Sequence, residues 1–151
     1  MNILITSAGQ RVSLVRAFQK ELKTLYPEKK VFTTDMFPGL SAACNVSDRY
    51  FAVRKVTDPQ YIDELITICG DNDIKMIVPT IDTELLILAQ NKIKLCAAGI
   101  HAIISSVSFI EQCRDKRKTN LFFEQRKIEV PGSIDKLSPD SHCLLNHMMA
   151  A

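Results

Sequence analysis

Asn2-Ile3-Leu4-Ile5-Thr6-Ser7-Ala8-Gly9-Gln10-Arg11-Val12 is the stretch that decides the fold. Residues 3–6 form a short, nearly all-apolar run, the pattern of a strand buried on both faces. Ser7-Ala8-Gly9-Gln10 breaks it. Beyond the break, Val12, Leu14, Val15, Phe18 and Leu22 recur at helical spacing. Arg11, Arg16, Lys20 and Lys23 fill the other face, and Pro27 ends the pattern. A strand, a glycine-bearing turn and an amphipathic helix, in that order, open a βαβ unit.

The same alternation continues down the chain. Residues 31–34 predict a second strand closed by Asp35, with a turn at Pro38-Gly39, and residues 50–53 a third strand. Asp58-Pro59 reads as a helix start, with aspartate as cap and proline at the first helical position. Tyr61, Ile62, Leu65, Ile66 and Cys69 form that helix's apolar stripe. Residues 76–78 predict a strand ended by Pro79, residues 82–94 a helix, and residues 102–104 a strand. A short helix follows Ser105-Ser106 and runs through Cys113, and another spans about 115–127. The expected fold class is α/β: a Rossmann-like, mostly parallel open sheet with helices on both faces.

Composition narrows the function. The 151 residues carry a formal net charge of +2, with 46% hydrophobic and 24% charged residues. That is ordinary for a globular domain, and the balance is too mild for a nucleic-acid binder. The one dense basic run, Arg114-Asp115-Lys116-Arg117-Lys118, has no interleaved aromatics and reads on its own as a solvated helix face. Cys44, Cys69, Cys96, Cys113 and Cys143 are widely spaced, which fits core packing in a reducing compartment rather than a zinc site or a disulfide scaffold. His101, His142 and His147 have no spacing that suggests a metal cage. The amino terminus lacks the basic segment and cleavage site of a signal peptide, and no apolar run reaches the roughly 18 residues of a membrane span. The expectation is a cytoplasmic protein with no nucleic-acid or membrane partner.

Three features fall beyond the carboxyl ends of strands, where open parallel sheets bind ligands. The first is Ser7-Ala8-Gly9-Gln10-Arg11. A glycine turn entering a helix amino terminus favours an anion, and Arg11 could grip phosphate or carboxylate. Only one glycine is present, so the dinucleotide fingerprint is missing. The plain alternative is a strand-to-helix turn with Ser7 or Gly9 serving as cap. The second is Asp35, placed like the acid that holds a ribose hydroxyl in dinucleotide folds, or else a polar turn residue. The third is Pro79-Thr80-Ile81-Asp82-Thr83-Glu84. Asp82 and Glu84 could orient a substrate or hold a metal; otherwise Asp82 caps the helix and Glu84 suits its dipole.

The opening Met1 to Val12 segment resembles the start of carbamoyl-phosphate synthase large-chain-like ATP-grasp proteins. The later pieces are similar in order and spacing: Thr34-Asp35, Val56-Thr57-Asp58-Pro59, Pro79-Thr80-Ile81-Asp82-Thr83-Glu84-Leu85, Asp115-Lys116 before a helix, and Val130-Pro131. The resemblance covers roughly residues 1–133. It implies a pre-ATP-grasp domain that forms one wall of a substrate site. In that family two later subdomains clamp ATP and magnesium and activate a carboxylate as an acyl phosphate, which an amine or other nucleophile then attacks. By position, the ATP-touching lysine of the hinge would be Lys116.

The resemblance divides the chain into a pre-ATP-grasp domain (1–114), a hinge helix leading toward an ATP-grasp domain (115–133) and an atypical tail (134–151). Substrate-side residues would be Ser7, Ala8, Gly9, Gln10, Arg11, Asp35, Asp82 and Glu84, with Lys116 toward ATP and no catalytic or metal-binding residue of its own. Residues 133–151 do not resemble the family's continuation, a lysine-bearing strand and a glycine-rich loop. The expectation is therefore a truncated module, inactive alone, that binds no cofactor productively by itself. Its partners would be a small carboxylate or amine substrate and a carboxy-terminal ATP-grasp chain, and a homodimer is compatible. Two other readings stay open: a non-catalytic docking module, and a stand-alone nucleotide-dependent oxidoreductase, which the missing glycines disfavour.

Overall fold

The computed structural model describes residues 1–130. Its strands are β1 (Asn2–Thr6), β2 (Val31–Asp35), β3 (Arg49–Ala52), β4 (Ile74–Pro79) and β5 (His101–Ala102). They form one sheet in the order β3-β2-β1-β4-β5, and every pairing is parallel. The helices are α1 (Val12–Leu25), α2 (Ala42–Val46), α3 (Tyr61–Asp71), α4 (Asp82–Gln90), α5 (Lys92–Ala97), α6 (Val107–Arg114) and α7 (Lys116–Glu124). The chain divides into two compact units between Asp115 and Lys116, so α7 belongs to the second.

Alternation along β1 explains why helices cover both faces. Ile3 and Ile5 enter one apolar cluster with Val15 and Leu22 of α1 and with Ala43 and Cys44 of α2. Leu4 points the other way, into a larger cluster with Phe32, Ile77, Tyr61 and Leu65 of α3, Leu88 of α4 and Leu95 of α5. Each side of the central strand thus needs its own helical layer, which is the doubly wound α/β arrangement expected from the alternating pattern.

Several element boundaries differ from the sequence expectation. Asp58 does not cap a helix at Pro59. Its Oδ1 accepts the Gln60 amide at 2.8 Å and its carbonyl accepts the Tyr61 amide, so a local turn forms and α3 begins at Tyr61. The helix expected over 82–94 is two helices that meet at Asn91, whose side-chain amide donates back to the Ile87 carbonyl at 2.9 Å. β5 has only two residues, although the Ile103 amide still donates to the Ile77 carbonyl. Beyond Pro38-Gly39 a single 3-10 turn (Pro38–Leu40) leads into α2, which the periodicity did not show. Its cap is Ser41, whose hydroxyl accepts the Cys44 amide. Cys44 and Cys69 are buried as expected, whereas Cys96 and Cys113 are exposed. Burial pushes the Cys69 thiol up to about 12, which suits a packing role. The expected turn beyond Val130 and the tail carrying His142, Cys143 and His147 lie outside the described residues.

Leu4 is 0% exposed at the centre of the sheet. Leu4→Ala is expected to cost about 2–5 kcal/mol in urea unfolding, by lost transfer energy plus a cavity. Ile93→Ala, at an 86% exposed position on α5, should change stability by no more than about 0.5 kcal/mol.

Candidate functional site at the strand-order switch

The strand order runs outward from β1 to β2 and β3 on one side, and to β4 and β5 on the other. The crevice between the carboxyl ends of β1 and β4 is therefore the topological switch point, the usual ligand position in such sheets. The turn after β1 and the turn after β4 line it.

The first turn is built by two residues in the left-handed region, Ser7 at φ 51° and Gly9 at φ 49°. Glycine suits such a position; serine there is strained and is held by its neighbours. The Thr80 hydroxyl lies 2.6 Å from the Ser7 carbonyl and 3.0 Å from that of Thr6, so the β4 turn grips the β1 turn directly. Arg11 Nη2 adds a bond back to the Thr80 carbonyl at 3.3 Å. On the other flank, the Gly9 amide donates to Asp35 Oδ2 at 3.1 Å, and the Gly9 carbonyl accepts from the Ser41 hydroxyl and the Ala43 amide. Asp35 Oδ1 takes the Phe37 amide at 3.1 Å. Both oxygens of Asp35 thus brace the crevice wall.

The structure brings together Ser7, Ala8, Gly9, Gln10, Arg11 and Asp35 around one turn, whereas Asp82 opens α4 beyond the β4 turn. Ala8 is buried and Gln10 and Arg11 are exposed. The caps expected from sequence are absent. Arg11 occupies the N-cap position of α1 and Ile81 that of α4, and neither side chain caps its helix. Asp82 is already helical, exposed, and 3.6 Å from Arg114 of α6. An apolar cleft of about 240 Å³ lies beside it, lined by Leu85, Ile104, Phe109 and Ile110 among others. Lys116 opens α7 in the second unit.

Glu84 turns inward. It is 0% exposed, and its Oε1 is hydrogen-bonded by the equally buried Tyr61 hydroxyl. Asp82 and Glu84 therefore diverge and do not fit a shared cation. Burial pushes the Glu84 carboxyl above its ordinary range, against the opposing pull of the Tyr61 hydrogen bond. Thr6 and Ser7 pull the same way as Tyr61, yet neither reaches Oε2 with hydrogen-bonding geometry, and Oε2 has no partner among the described residues. Burial and the neighbouring Glu84 likewise raise Tyr61, keeping it a neutral donor. Sequence reasoning missed Tyr61 and Thr80. Thr80 stood in the quoted motif, but nothing marked its hydroxyl as a clamp, and Tyr61 lies 23 residues from its partner.

A carboxyl with a raised folded-state pKa binds more protons folded than unfolded, so stability falls as pH rises from the ordinary value of 4.5 through the raised one. Glu84→Gln keeps the neutral shape and should flatten that loss. Thermal unfolding of both proteins across this window checks it, and parallel curves would refute the assignment.

No curated protein matches the chain. Among solved structures, it is similar to the biotin carboxylase subunit of pyruvate carboxylase, at TM-score 0.58 and 16% identity, covering 87% of this chain and 29% of that one. A complete multifunctional pyruvate carboxylase from Rhizobium etli matches at TM-score 0.58 and 13% identity, over 89% of this chain and 13% of that one. A single-chain, multi-domain long-chain acyl-CoA carboxylase matches at 0.56 and 12%, over 87% and 13%. The chain thus spans under a third of the first of these structures, and at such identities the likeness shows the fold alone. The family comparison goes further: residues 3–103 match the PylC-like, N-terminal domain. They contain the sheet from Ile3 onward and the crevice, and the chain belongs to that family, the pre-ATP-grasp domain of ATP-grasp enzymes.

Proposed function

We propose that this chain is the substrate-side module of an ATP-grasp ligase of the carboxylate–amine type, and that its switch-point crevice holds the anionic group of a small substrate. The observation that carries the reading is the pair of helix amino termini, α1 and α4, that open on the crevice without side-chain caps, with Arg11 between them. Uncapped first-turn amides and a guanidinium together favour phosphate or carboxylate. Ser7, Ala8, Gly9 and Gln10 shape the wall, and Asp35 braces it. Asp82, beside an apolar cleft, suits an amine. Glu84 contributes from below the surface.

The same reading assigns ATP and magnesium to ATP-grasp subdomains supplied by a carboxy-terminal partner, with Lys116 directed toward ATP. ATP in such enzymes supplies the phosphoryl group that activates a carboxylate; the residues of the crevice bind and orient. The domain boundaries at 114 and 133 belong to this proposal, as does a cytoplasmic setting, which the free thiols of Cys44 and Cys69 suit. Among the described residues no helix is long and apolar enough to cross a membrane.

Titration with acetate and inorganic phosphate should shift the amide resonances of Gly9 and Thr83. Arg11→Ala should weaken that binding about tenfold, the loss of one charge-assisted hydrogen bond of roughly 1.5 kcal/mol. Shifts confined to distant amides would refute the crevice. ATP hydrolysis provides the second test. The 151-residue chain alone is expected to show no turnover, and addition of an ATP-grasp chain encoded beside it should restore turnover. Robust ligation by the chain alone would overturn the assignment.

A further inference from the structure

Thr6 Oγ1, Thr34 Oγ1 and Glu84 Oε2 are buried without a hydrogen-bond partner among the described residues. Backbone geometry gathers them. Leu4 and Thr6 share one face of β1, and Phe32 and Thr34 share one face of β2. Leu4 pairs with Phe32, and both enter the larger apolar cluster, so the two threonines lie on the same side of the sheet. Glu84 lies one helical turn before Leu88 of that cluster and bonds Tyr61, another member. All three orphaned oxygens therefore sit at the carboxyl end of one sheet face, below the Ser7-Ala8-Gly9 turn. Orphaned buried oxygens are uncommon, so three of them together mark this end of the sheet face as more than packing.

We propose that Glu84, buried against Tyr61 beneath the Ser7-Ala8-Gly9 turn, is the positioning residue of the crevice and acts on its occupant without touching it. The inference rests on the anion-binding reading above. Thr6 is bonded directly to Ser7, and both carbonyls are held by Thr80, so the cluster supports the strained turn from beneath. Glu84 also belongs to the first turn of α4. A neutral acid there leaves the helix terminus attractive to an anion, whereas a carboxylate behind the amides opposes one in front of them. The groups acting on Glu84 are neutral: Tyr61 from α3, Thr6 at the end of β1 and Ser7 in the turn. The nearby charges are Asp82 on its own helix, which faces Arg114, Arg11 across the crevice, and Glu64 of α3, which acts on Tyr61. Burial dominates and favours the protonated form.

The test uses sulfate, whose charge stays constant from the ordinary glutamate range to mildly alkaline pH. The full chain is titrated across that range while the Gly9 and Thr83 amides are followed. Wild-type affinity should fall several-fold as pH rises, and Glu84→Gln should hold the low-pH affinity throughout. Tyr61→Phe removes a hydrogen bond that favours the carboxylate, so it should move the midpoint to higher pH; it decides the matter if Glu84→Gln does not fold. Sulfate binding with parallel pH profiles in wild type and Glu84→Gln, or with an unmoved midpoint in Tyr61→Phe, overturns the role of Glu84 and leaves the crevice intact. Absence of sulfate binding at every pH overturns the anion reading, and this inference with it.

Discussion

A strand hydrogen-bonded on both edges and covered on both faces is shut off from most water contact, and β1 is such a strand from Ile3 to Thr6. It pairs in parallel with β2 on one side and β4 on the other, and Ile3, Leu4, Ile5 and Thr6 are all buried. Parallel partners require crossover connections, and these deliver helices to both faces. Because β2 and β4 leave β1 in opposite directions, the chain ends of β1 and β4 must separate above the sheet. The crevice follows from the central position of β1, before any side chain in it is considered.

That origin explains what the sequence revealed. The apolar run at residues 3–6 and the helical stripe beginning at Val12 are local patterns, and they carried the layer arrangement correctly. The turn residues were legible for the same reason: Gly9 and Arg11 follow the first strand in order. The failures share another cause. Asp58 and Asn91 redirect the backbone through their own side chains, and periodicity does not register a hydrogen bond to a neighbour two or four residues away. α2 is too short to show a period, so its only local sign was Ser41 as a cap.

Glu84 marks the limit of local reading. Two residues into a helix, a glutamate ordinarily sits in solvent and favours the dipole. Here the helix is rotated so that Glu84 shares the face of Leu88, and tertiary packing presses it against Tyr61. Nothing within several residues of Glu84 announces that partner. Asp35 is a milder case: its position at the end of β2 was plain, but its commitment to the Gly9 and Phe37 amides depends on two turns meeting in space.

The Thr80 hydroxyl joins the loop after β4 to the last carbonyl of β1 and to the first carbonyl of the loop beyond it. A rim stitched in this way does not have to reorganise on capture. A small molecule arriving there loses its own freedom while the protein loses little, so discrimination rests on rigid fit and not on adaptation. On the proposed reading, any closing movement would have to come from the partner, with this rim as its fixed anvil.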